Sequence, residues 1–328
     1  MNIVVICGGF STEREVSLAS GSAVASALKE LGHTVSLADP SLGKDQKPAD
    51  SEVYETKPGR KPPSIGDYDY GKALEMFNSP ALNEAEMAFI ALHGTFGEDG
   101  TIQALLEAAG LKYTGSKLLA SALAMDKDIS KKMFQEAGIP VLDWTMVRDG
   151  KVFYSDEDMD FPMVVKPNDQ GSTVGFGIAN NSEELDKAAA AAAKYSNHVM
   201  VEKYVEGREL TVAILGKEAL PIVEIKPKHK SYDYESKYTP GMSEYVCPAD
   251  LPEQVEVRVQ LAALKAFNAL GCRHYARIDF LIDNDDRFYC LEVNTLPGLT
   301  KTSLVPKAAK AVGMSFKDLV ETIVELAD

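Results

Sequence analysis

HYARIDFLIDNDDRFYCLEVNTLPG, residues 274–298, is two β-prone runs separated by Asp283, Asn284, Asp285 and Asp286, four turn-forming residues in a row. The pattern predicts a β-hairpin. With those four residues as the loop, 282 pairs with 287 and 277 with 292. Alternation then puts Arg277, Asp279, Glu292 and Asn294 on one face. Three oxygen-bearing side chains and a guanidinium share that patch, and carboxylate and amide oxygens suit magnesium, a hard cation commonly shared with phosphates. A solvated face carrying an Arg–carboxylate pair has the same pattern. Cys290 falls on this face as well, but a thiolate suits magnesium poorly, so it is expected to pack.

Working outward, MVVKPNDQGSTVGFG (163–177) ends an apolar strand on Lys166 and continues into glycines 171, 175 and 177 around Ser172 and Thr173. Such a turn lets backbone N–H groups approach phosphate oxygens, with the lysine as a compact positive charge. The lysine precedes the glycines, so this is not the P-loop order, and a plain hairpin turn fits the local pattern equally well.

The rest of the chain frames these clusters. NIVVIC, then Gly8 and Gly9, then helical spacing of Val24, Leu28 and Leu31, opens an α/β unit. Residues 38–66, with five prolines, read as an irregular surface excursion. MAFIALHG is a strand, TIQALLEAAG a helix closed by Gly110, and a boundary follows near 116. One helix over 118–137, strands VFYS and MVVKP, and a helix over 182–195 with Asn181 and Glu184 at capping-box spacing make a small α+β unit. The remainder alternates strands (LTVAIL, PIVEI and the hairpin) with helices over 252–270 and 315–327. The expected organisation is 1–116, 117–202 and 203–328, with residues 226–245 as a lid.

At 328 residues, two or three packed units are expected. The net charge of −15 offers no basic field for nucleic acid. No run approaches the roughly 20 apolar residues of a bilayer span, and no secretory leader is recognisable, so a cytoplasmic protein without a membrane segment is expected. Cys7, Cys247, Cys272 and Cys290 are scattered without CxxC, which argues against zinc and against a disulfide framework.

Taken in order, MDK, VVKPNDQGSTVGFG, VEKYVEGRELTVAIL, YDYESKY, ARIDF and LEVNTLPGLTKTSLVP resemble the ATP-grasp superfamily. GGFSTEREVSLASG and HGTFGEDG narrow the resemblance to its D-alanine:D-alanine ligases, and the likeness runs from residue 8 to about 306. It implies an ATP-grasp fold, α/β and α+β, with an N-terminal Rossmann-like α/β domain, a small central α+β domain and a C-terminal α+β domain. It also implies ATP as substrate, two Mg2+ ions for which Mn2+ can substitute, D-alanine as the partner molecule, and a homodimer.

By the same resemblance, Lys127 and Lys166 contact ATP phosphates, Glu202 and Lys203 the adenine region, and Glu209 the ribose. Asp279, Glu292 and Asn294 hold the two metal ions. Glu13 receives the ammonium group of the first D-alanine with His93 nearby, and Ser303 the carboxylate of the second. Arg277 and the N–H of Gly298 stabilise a tetrahedral intermediate. Glu13, Ser172 and Tyr238 form a hydrogen-bonded trio, and Lys237 reaches the transferred phosphate.

Each residue has a plainer role open to it: Glu13 as a helix cap, His93 as a satisfied strand-end histidine, Lys127 as a solvated helix lysine, Ser303 as the cap of a helix starting near Val305. Two positions depart from the family pattern. Gln170 stands where an acid is common, and Lys301 adds a charge beside the second-substrate site. A D-alanine:D-lactate ligase is the near alternative. A non-catalytic nucleotide-binding or nicotinamide-binding protein is the distant one, and it lacks GxGxxG with a downstream acid.

Overall fold

The computed structural model describes residues 1–54, 69–148, 151–152, 160–227, 242–300 and 302–328. Its first sheet is parallel, in the order β2-β1-β3-β4, from β1 (Asn2–Ile6), β2 (Thr34–Ala38), β3 (Met87–Ile90) and β4 (Lys112–Tyr113). Most of β1 and all of β3 are buried, as a parallel sheet covered on both faces requires. Helix α1 (Arg14–Glu30) follows Gly8 and Gly9, both with positive φ. Only glycine fits at residue 8, because a Cβ there would lie 2.5 Å from the Asp39 carboxylate. This turn and the end of β3 place their following residues at the carboxyl edge of the sheet, where open α/β sheets bind ligands.

Helices α2 (Tyr70–Met76), α3 (Pro80–Asn83) and α4 (Thr101–Ala109) complete this region, α4 ending at left-handed Gly110 as the sequence predicts. The 38–66 excursion contains two short 3-10 turns, Pro40–Leu42 and Glu52–Tyr54; its residues 55–66 lie outside the described ones.

The helix expected over 118–137 is two helices, α5 (Leu118–Met125) and α6 (Lys127–Glu136). Asp126 divides them: its backbone is extended, and its side chain accepts from the N–H of Ile129 to cap α6. A second sheet, antiparallel in the order β6-β5-β9-β7-β8, comprises β5 (Trp144–Arg148), β6 (Lys151–Val152), β7 (Met163–Pro167), β8 (Gly177–Ala179) and β9 (Val199–Lys203). Met163, Val165 and Val201 pack on one face against α7 (Ser182–Ala192), leaving Lys166 and Glu202 on the other.

The third sheet runs β13-β12-β10-β14-β15, with β11 (Glu218–Ala219) beside β10. Its strands are β10 (Arg208–Leu215), β12 (Val223–Pro227), β13 (Ser243–Val246), β14 (Tyr275–Ile282) and β15 (Phe288–Asn294). Helix α8 (Glu253–Ala269) covers one face through Val255, Val259 and Phe267, each such burial contributing about 1.5–3 kcal/mol. Ala120, Ala124 and Phe134 of α5 and α6 join this same core. Helices α9 (Leu304–Ala311) and α10 (Phe316–Ala327) return to the core of the first sheet. Of the lid expected over 226–245, Lys226, Pro227 and residues 243–245 are paired strand residues, and 228–241 lies outside the described residues.

The hairpin forms, with a different register. Ile282 pairs with Phe288, so the loop has five residues, because Asp283 closes it: its N–H donates to the Arg287 carbonyl and its carboxylate accepts from the N–H groups of Asp285 and Arg287. Five residues alone would turn Glu292 to the opposite face. A β-bulge restores it: Asp279 faces Glu292 and Phe280 faces Cys290, leaving Leu291 unpaired. Arg277 therefore lies opposite Asn294 rather than Glu292, and the four polar residues still share a face. Cys290 moves off that face into the core, fully buried beside Phe280.

Candidate active site

The shared hairpin face is a closed charge network. Arg277 donates through Nε and Nη2 to the two oxygens of Asp279 at 2.9 and 2.7 Å. Asn294 Nδ2 and Thr211 Oγ1 also donate to Asp279, at 3.1 and 2.6 Å. Thr211 sits directly opposite Asp279 on β10, a partner the hairpin sequence alone does not reveal. Lys127 lies 3.4 Å from Glu292 and donates to the Gln170 carbonyl at 2.8 Å. Two carboxylates and an amide suit magnesium, whose remaining positions are filled by water and substrate phosphate rather than by a protein cage. Among the described residues no group of three or more His, Cys, Asp or Glu is placed to hold a metal ion.

Between the second and third sheets lies a cavity of about 160 Å3. Lys127 and Lys166 give it positive charge, Glu209 and Glu292 negative charge, and Val174, Phe176 and Leu291 apolar wall. Its roof is the glycine-rich turn, where Ser172 and Thr173 hold φ of 53° and 61°, a conformation rare outside glycine.

Glu202 and Lys203 do not line this cavity. Lys203 is exposed, whereas Glu202 is buried between Lys131, which ion-pairs with Oε1, and Lys166, which donates to Oε2 at 2.6 Å. Burial pushes the Glu202 carboxyl up, but the two lysines outweigh it and hold it at about 2. Burial also lowers the pKa of Lys131, opposed by Glu202.

A second cavity, about 280 Å3, opens where the carboxyl edge of the first sheet meets the hairpin. Glu13, His93, Arg277, Gly298 and Ser303 all line it. Glu13 stands at the N-cap position of α1 but makes no capping bond; its carboxylate accepts from Ser172 Oγ instead. His93 is fixed at both nitrogens. The Leu296 carbonyl can only accept, so Nδ1 carries the proton and donates at 2.8 Å, leaving Nε2 to accept from Ser20 Oγ at 3.1 Å. Burial lowers its pKa, against the pull of Glu13. Ser303 begins α9 without a capping bond; its Oγ accepts from the N–H of Thr300 at 3.0 Å.

Glu98 is the wall residue that the sequence reading does not single out. Its carboxylate accepts from the N–H groups of Gly94 and Leu296 at 2.8 and 3.3 Å. Burial, reinforced by Glu13, pushes it up to about 8. The two cavities share Gly171, Ser172 and Glu292. The structure thus gathers Lys127, Lys166, Glu209, Asp279, Glu292, Asn294 and Ser172 around one junction with Glu13, His93, Arg277, Gly298 and Ser303. Lys237, Tyr238 and Lys301 lie outside the described residues, and Gln170 lines the inter-sheet cavity.

Comparison with known proteins completes the assignment. The family model described as D-ala D-ala ligase N-terminus matches residues 2–116, and the one described as D-ala D-ala ligase C-terminus matches residues 133–325. A D-alanine–D-alanine ligase of Syntrophotalea carbinolica is 44% identical, covering 98% of this chain and 94% of its own. That of Aquifex aeolicus is also 44% identical, covering 99% and 100%. Among solved structures, D-alanine–D-alanine ligase from Bacillus anthracis superposes with a TM-score of 0.79 at 32% identity, covering 100% of this chain and 97% of that one. The same enzyme complexed with ATP gives 0.78 at 30% identity, with the same coverage. The three-sheet architecture is the ATP-grasp fold. By these matches the chain belongs to the D-alanine–D-alanine ligase family.

Proposed function

We propose that the chain is an ATP-dependent, ADP-forming ligase that joins two D-alanine molecules through an acyl phosphate, supplying D-alanyl-D-alanine for peptidoglycan precursors. The observation that carries this reading is the junction of the two cavities at Gly171, Ser172 and Glu292, which suits transfer between a nucleotide and a small carboxylate.

In this reading residues 1–116 contribute Glu13 and His93 to the amino-acid site, while 117–202 and 203–328 enclose the nucleotide. The triphosphate lies along Lys166 and Lys127, with Glu209 toward the ribose and Glu202 and Lys203 toward the base. Asp279, Glu292 and Asn294 would hold Mg2+, two ions in the resembled family; when bound, the metal neutralises charge on the transferred phosphoryl group. Glu13 pairs with the ammonium of the first D-alanine, leaving its carboxylate facing Arg277 and the junction. Phosphorylation there converts a poor leaving oxygen into phosphate. The second D-alanine, held through its carboxylate at Ser303, attacks with its neutral amine. Arg277 and the Gly298 N–H then stabilise the oxyanion until phosphate departs. Ser172 positions Glu13, and by resemblance Tyr238 joins that pair while Lys237 meets the transferred phosphate.

A dimeric, cytoplasmic enzyme is part of the same proposal; among the described residues no helix is long and apolar enough to cross a membrane. The deciding assay measures ADP release with and without D-alanine and weighs the product by mass spectrometry. D-alanine-dependent ADP with a dipeptide product is expected. A depsipeptide formed preferentially when D-lactate is supplied would move the chain to the lactate-using type, and ADP release indifferent to D-alanine would overturn the ligase reading.

A further inference from the structure

Two lysines share the Glu202 carboxylate, and they differ in what they are free to do. Lys131 is fully buried: its Nζ pairs with Glu202 Oε1, lies 3.3 Å from the Leu142 carbonyl and sits 5.1 Å from the Trp144 ring centroid. Lys166 holds the other oxygen at 2.6 Å, but its side chain is 15% exposed and forms part of the inter-sheet cavity wall. Of these two lysines, a phosphate entering that cavity meets only Lys166.

Helix α6 sets this division. Lys127 and Lys131 are one turn apart on it, so one reaches Glu292 and the Gln170 carbonyl at the junction while the other reaches Glu202 deeper between the sheets. If Lys166 turns to the triphosphate, Glu202 keeps one cation, and that cation cannot follow. Without it, a buried carboxylate would take up a proton rather than remain charged and unpaired.

We propose that Lys131 is the positioning residue for base selection: as resident counter-ion on Oε1 it keeps Glu202 ionised, so that Oε2, covered by Lys166 until that lysine turns to the phosphates, becomes a pure hydrogen-bond acceptor for the 6-amino group of adenine. The proposal rests on the nucleotide reading above. An ionised carboxylate only accepts, and so favours an amino group. A protonated one also donates, and so tolerates a 6-oxo purine.

Calorimetric titration with ATP and with inosine triphosphate, which carries an oxo group in place of the 6-amino group, tests this without D-alanine and hence without turnover. The wild type should prefer ATP. Lys131→Met should cut that preference about tenfold or more, chiefly through ATP. Lys166→Met should weaken both nucleotides by a similar factor and leave the preference intact. Emission from Trp144, the single tryptophan, reports whether the variant site stays packed. Equal weakening of both nucleotides by Lys131→Met, no preference in the wild type, or loss of the preference in Lys166→Met would each overturn the proposal. The last result decides even if Lys131→Met does not fold. Failure of the wild type to bind ATP would instead sink the nucleotide reading, and this proposal with it.

Discussion

Ser172 donates its hydroxyl hydrogen bond to the carboxylate of Glu13, closing a contact between residues 159 apart in the chain. The bond ties the glycine-rich turn after β7 to the start of α1, and both groups are buried at the wall of the 280 Å3 cavity. Glu13 spends no oxygen on capping its helix, so its carboxylate is directed to the cavity side.

Glu13→Gln is therefore expected to raise the KM for D-alanine at least about tenfold while changing that for ATP little, because a charge-assisted bond to the ammonium is lost. Steady-state titration of each substrate checks this. A purely structural Glu13 would show the reverse, a lower melting temperature with D-alanine affinity retained.

Asp279→Asn and Glu292→Gln each remove one charge from the hairpin face while keeping side-chain volume. Phosphoryl transfer should fall by about two orders of magnitude or more, with the fold intact by circular dichroism. Near-normal turnover with unchanged magnesium dependence in both variants would take the hairpin out of the chemistry.

Glu98 gives the stability a pH dependence of definite sign. Its folded pKa of about 8 exceeds the ordinary 4.5, so in that interval the folded chain holds one proton more than the unfolded chain. Stability from this group is complete below pH 4.5, declines by up to about 1.4 kcal/mol per pH unit, and is lost as pH passes about 8. Glu98→Gln mimics the protonated acid and removes that decline. Urea unfolding across the interval should show the wild type losing more stability than the variant, by about 1 kcal/mol or more; parallel curves would contradict the assignment.

Gly21 tests the packing of α1 on β1. A Cβ at this position would lie 2.4 Å from Cys7 Cβ and 2.7 Å from its Sγ. Gly21→Ala should therefore destabilise by about 1–3 kcal/mol despite alanine's better helix propensity. Adding Cys7→Ala should not restore stability, since the nearest atom is Cβ itself. Thermal melts of the single and double variants settle the point.

The fold was legible wherever periodicity and turn chemistry acted locally. The strand-glycine-helix opening, the cap at Gly110 and the hairpin face are of that kind. The bulge was not legible, because Asp283 sets the loop length through bonds to Arg287 that composition does not specify. Nor was the break at Asp126, where one aspartate ends α5 and caps α6. At the site, Glu98 and Lys131 were passed over for a shared reason. An acid in GEDG and a lysine in KDISKKMFQE read as solvated, and their burial follows from which loop and which sheet come to lie over them.

The bulge at Leu291 also says how the hairpin tolerates change in length. Strict alternation would allow only every second residue of β15 to face the cavity, yet Leu291 and Glu292 both line it, so one position supplies apolar wall and the next supplies charge. Leu291 is the supernumerary residue. Its deletion would leave Cys290 followed by Glu292 in regular alternation, with Glu292 still opposite Asp279 and Val293 still toward the core. A one-residue deletion at this point would thus spare the acidic face and remove only a piece of the inter-sheet cavity's apolar wall, whereas the same deletion at Val293 would bring Asn294 to the core-facing position.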